Sequence, residues 1–301
     1  MVKKRKPLGE ERFWINGRFV GDDGATISLL DRGVLFGDAL YEVVRFYRRR
    51  LFLLDGHLDR LFEEAATIGL PAPCGREEIG RAIEGLAARG EEEDGLVLLH
   101  WTRGEGPRRL APPPGLRGNL FAIRLPLPAL PRRARREGVS VVTLPDRRWP
   151  GADIKSVNLL ANVLARKVAE EQGAHEALLY RGKGDRARLT EGTSSSFFFV
   201  LGGVLVTPAV RGLLPGITRD AVLRVARESE IPFEERTVRL GELPSAWEVF
   251  LTATSAEILP VRSIDGRTPA SATPGPLTIR LIEGFRRYRR RILRAVPPAR
   301  P

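Results

Sequence analysis

A chain of 301 residues, 43% hydrophobic and 29% charged, is long enough for one large domain or two smaller ones and has the composition of a globular protein in water. No apolar run reaches the roughly 18 residues of a membrane span. The start Met1-Val2-Lys3-Lys4-Arg5-Lys6 lacks the apolar stretch of a secretory signal and the single Cys74 excludes an internal disulfide, so a cytoplasmic location without membrane partners is expected.

The net charge of +12 suits anionic small molecules better than nucleic acid. The dense basic runs at 48–50, 132–136 and 286–291 carry no interleaved aromatic platform, and zinc-finger, homeodomain and RNP patterns are absent.

In chain order, residues 12–20 form two short apolar runs around Asn16-Gly17, a dipeptide that supplies the positive φ angles of a tight hairpin. Asp31 to Asp38 reads as a glycine-punctuated loop, 40–47 as a strand, 48–50 as a turn and 51–54 as a partner strand. From His57 to Ile68 the apolar positions recur at helical spacing until Gly69, and a second helix is expected over 76–88. Strands at 96–102 and 120–125 flank a loop of glycine and arginine at 103–109. The proline-dense stretch 125–131 breaks the pattern, which predicts domains at 1–125 and 132–301 joined by a linker at 126–131.

Beyond it come a strand at 139–144 and a helix that Ser156 caps, running to about Gln172 and ended by Gly173. Strands at 177–180 and 187–190 enclose a turn, and 197–201 with 204–207 form a hairpin through Gly202-Gly203. A helix over 219–228, strands at 248–251 and 260–264 and a last helix over 277–293 complete the chain. The pattern is α/β, a small α+β lobe followed by a larger barrel-like α/β lobe.

Only six lysines occur among 49 basic residues. Lys3, Lys4 and Lys6 lie in the basic tail, Lys167 on a polar helix face and Lys183 in a Gly-Lys-Gly turn, which leaves Lys155 in the apolar stretch Ile154 to Ala161. A lysine in low dielectric can lose its proton and become a nucleophile, as an arginine cannot.

Four features suit such an amine. Leu214-Pro215-Gly216-Ile217-Thr218 brings backbone N–H groups to a helix start, a natural phosphate site, although Pro-Gly also makes ordinary junctions. Thr252-Ala253-Thr254-Ser255 offers hydroxyls for a phosphate cup or for a plain turn. Glu191, followed by Gly192-Thr193-Ser194-Ser195-Ser196, is either a buried carboxylate awaiting a protonated heterocyclic nitrogen or a surface residue before a serine-rich loop. Arg60 has forked donors for a salt bridge or a phosphate. Together they are the requirements of pyridoxal phosphate chemistry.

The order of these motifs resembles the class IV aminotransferases, the fold-type IV pyridoxal phosphate enzymes. The likeness spans roughly 12–290 and rests on Asp31-Arg32-Gly33, Phe36-Gly37-Asp38, Tyr41-Glu42-Val43-Val44, His57-Leu58-Asp59-Arg60-Leu61, Ile154-Lys155-Ser156-Val157-Asn158-Leu159-Leu160, Thr190-Glu191-Gly192-Thr193-Ser194-Ser195, Leu214-Pro215-Gly216-Ile217-Thr218-Arg219, and Glu257 with Pro260-Val261.

The resemblance implies a homodimer in which Lys155 forms the Schiff base with pyridoxal 5'-phosphate and shuttles the proton, and Glu191 binds the pyridine nitrogen. Arg60, the N–H groups of Ile217 and Thr218, and Thr254 hold the phosphate. Leu214 supports a ring face, Ser194 and Ser195 approach the cofactor, and Tyr41 and Arg108 serve the substrate.

Residues 155–162 and the Glu191 motif are most similar to D-amino-acid transaminases, which implies exchange of an amino group between a D-amino acid such as D-alanine and a 2-oxo acid. Those enzymes add a histidine two residues after the carboxylate-binding arginine. Here Leu110 stands there, with Arg109 or His100 as substitutes, and Ala253 replaces a frequent hydroxyl. The alternatives are a branched-chain L-amino acid transaminase, an aminodeoxychorismate lyase and a non-enzymatic basic binding protein.

Overall fold

Asn16 and Gly17 adopt φ of 45° and 92° and close the hairpin of β1 (Phe13–Ile15) and β2 (Arg18–Val20) in the expected register, Trp14 opposite Phe19. The computed structural model describes residues 12–131, 133–271 and 273–299. The basic tail with Lys3, Lys4 and Lys6, and Arg132 of the second basic run, lie outside them. The chain forms two compact units: Met1–Pro128 with Ile154–Asn158 and Arg291–Pro301, and Ala129–Asp153 with Leu159–Arg290.

The first unit continues with α1 (Arg32–Phe36), β3 (Ala39–Tyr47), β4 (Arg50–Leu51), α2 (Leu54–Thr67), α3 (Arg76–Ala88), β5 (Gly95–Thr102) and β6 (Asn119–Leu125). Its antiparallel sheet has the order β2-β1-β6-β5-β3-β4. Alternation puts Leu40, Val44, Val97, Leu99 and Trp101 into one apolar cluster with Leu58 and Leu61 of α2 and Ile79 and Ile83 of α3.

The expected loop at 31–38 contains α1. Five residues are too few for an apolar period, so the helix leaves no pattern. Its cap is fully buried Asp31, whose carboxylate accepts from Gly33 N–H at 2.7 Å, the Thr102 hydroxyl at 2.7 Å and the Asn119 amide at 2.6 Å. Asp31→Ala is expected to cost about 2–4 kcal/mol in urea unfolding, since it takes the acceptor from three donors, the buried Thr102 hydroxyl among them, with Asp31→Asn falling between the variant and wild type.

α2 begins at Leu54, three residues before the expected start, because Leu53 turns the chain at φ 57°; β4 shrinks to two residues accordingly. The helix expected from Ser156 also starts later, at Leu160. Ser156 does not cap it. Residues 154–158 stay extended and add to the edge of β3 that β4 leaves open: Tyr41 N–H donates to the Lys155 carbonyl at 3.0 Å, Val157 N–H to the Ala39 carbonyl at 3.2 Å, and Ser156 bridges Leu40. The lysine segment, placed in the second domain by the sequence, thus belongs to the first unit.

The second unit comprises α4 (Ala134–Glu137), β7 (Val139–Pro145), α5 (Leu160–Glu171), β8 (Glu176–Arg181), β9 (Arg188–Gly192), β10 (Ser196–Leu201), β11 (Val204–Pro208), α6 (Ile217–Glu228), β12 (Phe233–Arg236), β13 (Glu248–Ala253), β14 (Glu257–Ile264) and most of α7 (Pro276–Ala295). The curled eight-stranded sheet runs β12-β11-β10-β13-β14-β7-β8-β9, parallel at β11–β12, β14–β7 and β7–β8. β10 is buried on both faces: Phe197 and Phe199 enter one cluster while Phe198 stacks on Phe250 at 4.9 Å. Such a strand reads as an unbroken apolar run. β12, Phe-Glu-Glu-Arg at the sheet edge, has no strand composition and goes unannounced in the sequence.

Candidate active site

In the first unit, α2 presents His57, Arg60 and Glu64 on one face by their three- and four-residue spacing. Glu42 of β3 points to the core side beside Leu40 and Val44 and is 1% exposed. Its carboxylate takes Arg60 Nε at 2.7 Å and Nη2 at 2.9 Å, and meets His57 Nδ1 at 2.7 Å. Burial would raise the Glu42 pKa, but the charges of Arg60 and then His57 outweigh it and hold the carboxyl well below the usual range. Burial likewise drives His57 down, only partly countered by Glu42.

Lys155 is half-buried in the added segment. Its carbonyl is fixed by Tyr41, its N–H donates to Glu64 Oε2 at 2.7 Å, and its Nζ lies 4.2 Å from the centroid of the Tyr41 ring. Burial foremost pushes Glu64 up to about 7, against the hydrogen bond from Lys155 and the charge of Arg60.

Tyr41 faces away from the core, opposite His100 in register, and His100 stacks on Phe121 at 4.9 Å. Burial lowers His100 to about 4, so at neutral pH it is an uncharged ring and no substitute cation for the trap. Arg108 is exposed, and Leu110 is 84% exposed. Their loop is moored by Arg32, which donates to the carbonyls of Arg109 at 2.6 Å and Leu110 at 2.9 Å.

In the second unit, Glu191 sits on β9 and is buried. Arg148 Nη1 donates to its Oε1 at 2.5 Å, and Leu214 N–H approaches the same oxygen at 3.5 Å. Arg148 is gripped in turn by Asp146, Nε to Oδ1 at 3.0 Å and Nη2 to Oδ2 at 2.9 Å, and Arg181 Nε adds a bond to Asp146 at 3.0 Å. Burial raises the Glu191 pKa, with Arg148 opposing. A small open pocket adjoins it, lined by Thr190, Glu191, Ser196, Thr207, Leu214 and Arg219.

The hydroxyl run folds onto Glu176. Thr193 Oγ1 donates to Glu176 Oε1 at 2.6 Å and Ser195 Oγ to Oε2 at 3.0 Å, while Ser194 Oγ accepts from Arg166 at 3.2 Å. α6 starts at Ile217 after Gly216, so the N–H groups of Ile217 and Thr218 precede any helical acceptor. A Cβ on Gly216 would lie 2.9 Å from Ser196 Oγ, and Ser196 pairs with Thr252. The helix start, Ser196 and the end of β13 before the Thr254 turn therefore converge.

Glu64, Arg148, Asp146 and Glu176 carried no role in the sequence reading. Two signals were present: the His-x-x-Arg-x-x-x-Glu spacing from 57 to 64, and Asp146-Arg147-Arg148 directly after a strand.

A D-alanine aminotransferase of Bacillus licheniformis is 40% identical over 264 residues, 87% of this chain and 92% of that protein. The branched-chain aminotransferase of Thermoproteus uzoniensis, solved with norvaline, superposes with a TM-score of 0.86 at 29% identity and covers 97% of this chain and 100% of its own. The branched-chain amino acid aminotransferase of Thermobaculum terrenum, solved in its PLP-bound holo form, gives 0.83 at 27% identity, covering 96% of this chain and 99% of its own. With residues 39–264 matching the model of amino-transferase class IV, the chain belongs to the class IV aminotransferases.

Proposed function

We propose that this aminotransferase uses pyridoxal 5'-phosphate to exchange an amino group between a D-amino acid, D-alanine above all, and a 2-oxo acid. The observation that carries the reading is Lys155: its peptide is held on both sides by Tyr41 and Glu64, so that the segment is anchored by main chain and the amine, over the Tyr41 ring, is not used to hold it. The residues fit the cofactor. Gly216 leaves the space a Cβ would fill beside Ser196 at the start of α6, where a phosphate suits the helix end, and Glu191 is a buried carboxylate able to hold a proton on a ring nitrogen.

When bound, pyridoxal phosphate supplies the electron sink that lets a proton leave the substrate α-carbon. Lys155 attaches the cofactor and moves that proton. Glu191, kept in place by Arg148, would hold the pyridine nitrogen, and Leu214 would support the ring. Ile217, Thr218 and Thr254 would hold the phosphate, with Arg60, whose Nε and Nη2 engage Glu42, adding its charge; Ser194 and Ser195 would border the cofactor, and Tyr41 and Arg108 would receive the substrate. The D-alanine preference is supported by 40% identity to a D-alanine aminotransferase.

A branched-chain L-amino acid transaminase is the second reading, favoured by the solved relatives and by Leu110 in place of a polar trap residue. We further propose a homodimer in the cytoplasm. Exposed Leu29, Leu30, Val34 and Leu110, and Leu160, Val163 and Leu164 on α5, give apolar surface for a second copy; among the described residues no helix is long and apolar enough to cross a membrane.

Protein loaded with pyridoxal phosphate should show a visible band that D-alanine bleaches within the mixing time and L-leucine does not. Bleaching by L-leucine alone would reverse the substrate assignment, and absence of any band on adding the cofactor would sink the pyridoxal reading.

A further inference from the structure

Of the three polar side chains on the inner face of α2, His57 and Arg60 are satisfied by Glu42. Glu64 is not. It is 9% exposed, Oε2 accepts from the Lys155 N–H, and Oε1 is buried with no hydrogen-bond partner among the described residues. A half-satisfied carboxylate is a costly way to fill space on an apolar helix face, where a leucine of similar volume would pack without penalty. Its single bond goes to the peptide of the lysine on which the proposed function turns.

We propose that Glu64 is a positioning residue whose carboxylate latches the peptide N–H of Lys155 and, by gaining or losing a proton at the unpartnered Oε1, makes the hold on the lysine segment depend on pH. Three charged groups face it: Arg60 from its own helix and Lys155 from the added segment favour the ionised form, and Glu42 from β3 favours the neutral one. Burial exceeds them all, so both forms are populated near neutrality. The ionised carboxylate makes the stronger, charge-assisted bond to the Lys155 N–H, and the neutral acid a weaker one. The latch therefore tightens as pH rises through neutrality. Its importance for turnover rests on the reading of Lys155 above; the latch itself does not.

The test is hydrogen exchange at the Lys155 amide, measured by NMR on the full chain as purified and corrected for the intrinsic rate. Protection in the wild type should rise about tenfold from pH 6 to pH 8, the ratio expected when a neutral hydrogen bond becomes charge-assisted. Glu64→Gln keeps an acceptor of the same shape but does not titrate, so its protection should be flat across that range. Glu64→Leu should lose the protection at both pH values.

Wild-type protection that ignores pH, or a Gln variant that reproduces the wild-type rise, would overturn the proposal. The exchange result stands whether or not the visible cofactor band appears, so failure of the latch and failure of the pyridoxal reading are told apart.

Discussion

Lys155→Ala is expected to lower transamination at least about a thousandfold while leaving the fold intact, because in the proposed function one side chain supplies both the attaching amine and the proton carrier. What holds the segment is main chain: Tyr41 to the Lys155 carbonyl, Val157 to the Ala39 carbonyl, and the Lys155 N–H to Glu64. Alanine keeps all three. The lost stabilisation is that of a cation over the Tyr41 ring, about 0.5–1 kcal/mol at a half-exposed site, so thermal melts should nearly superimpose. Lys155→Arg should be equally inactive, since a guanidinium keeps the charge and cannot become the nucleophile. Normal turnover in either variant would remove Lys155 from its assigned role.

Glu42→Ala should have the largest effect on stability, a loss of about 3–5 kcal/mol in denaturant unfolding, because it takes from the buried Arg60 guanidinium the carboxylate that accepts its Nε and Nη2, and from His57 Nδ1 the same partner. Glu42→Gln should cost less, as an amide oxygen still accepts one bond from Arg60. The pH dependence follows from the direction of two shifts. Glu42 is held below its ordinary 4.5 and His57 below its ordinary 6.5.

Each of these groups gives stability that is complete above its unfolded value and is lost as pH falls through the folded one. On acidification His57 should therefore withdraw stability below about 6.5 and Glu42 below about 4.5, while Glu64, raised to about 7, opposes the His57 loss between 7 and 4.5. The decline below 4.5 should be shallower in Glu42→Ala, with the remainder carried by Asp38, Glu92, Asp146 and Glu242, whose carboxyls arginines also hold low. An equally steep acid limb in the variant would assign it to other groups.

What could be read before folding was whatever a short run of residues decides. Asn16-Gly17 and Gly202-Gly203 fix their own turns through φ, and His57 to Ile68 announces a helix through spacing. Lys155 stood out only because arginine fills almost every other basic position. The rest depended on neighbours far along the chain. Ser156 is as good a cap as any serine until the edge of β3 captures the segment. Glu42, Glu64 and Arg148 look like surface charges in sequence; the pair Glu42–Arg60 and the bonds of Arg148 to Asp146 and Glu191 make the burial of the first and last tolerable. Arg60 was open between a salt bridge and a phosphate; its Nε and Nη2 engage Glu42.

The addition of residues 154–158 to the first unit also bears on how the protein is made. When residue 128 has left the ribosome, the six-stranded sheet has all its strands, yet β3 still exposes the Tyr41 N–H and the Ala39 carbonyl that the lysine segment will pair. An open sheet edge is a template for pairing with other chains. About 30 more residues must emerge before the lysine segment seals it. The same five residues that bear Lys155 thus act as the closing strip of the nascent first unit, and an excised 1–128 fragment would carry a permanently adhesive edge.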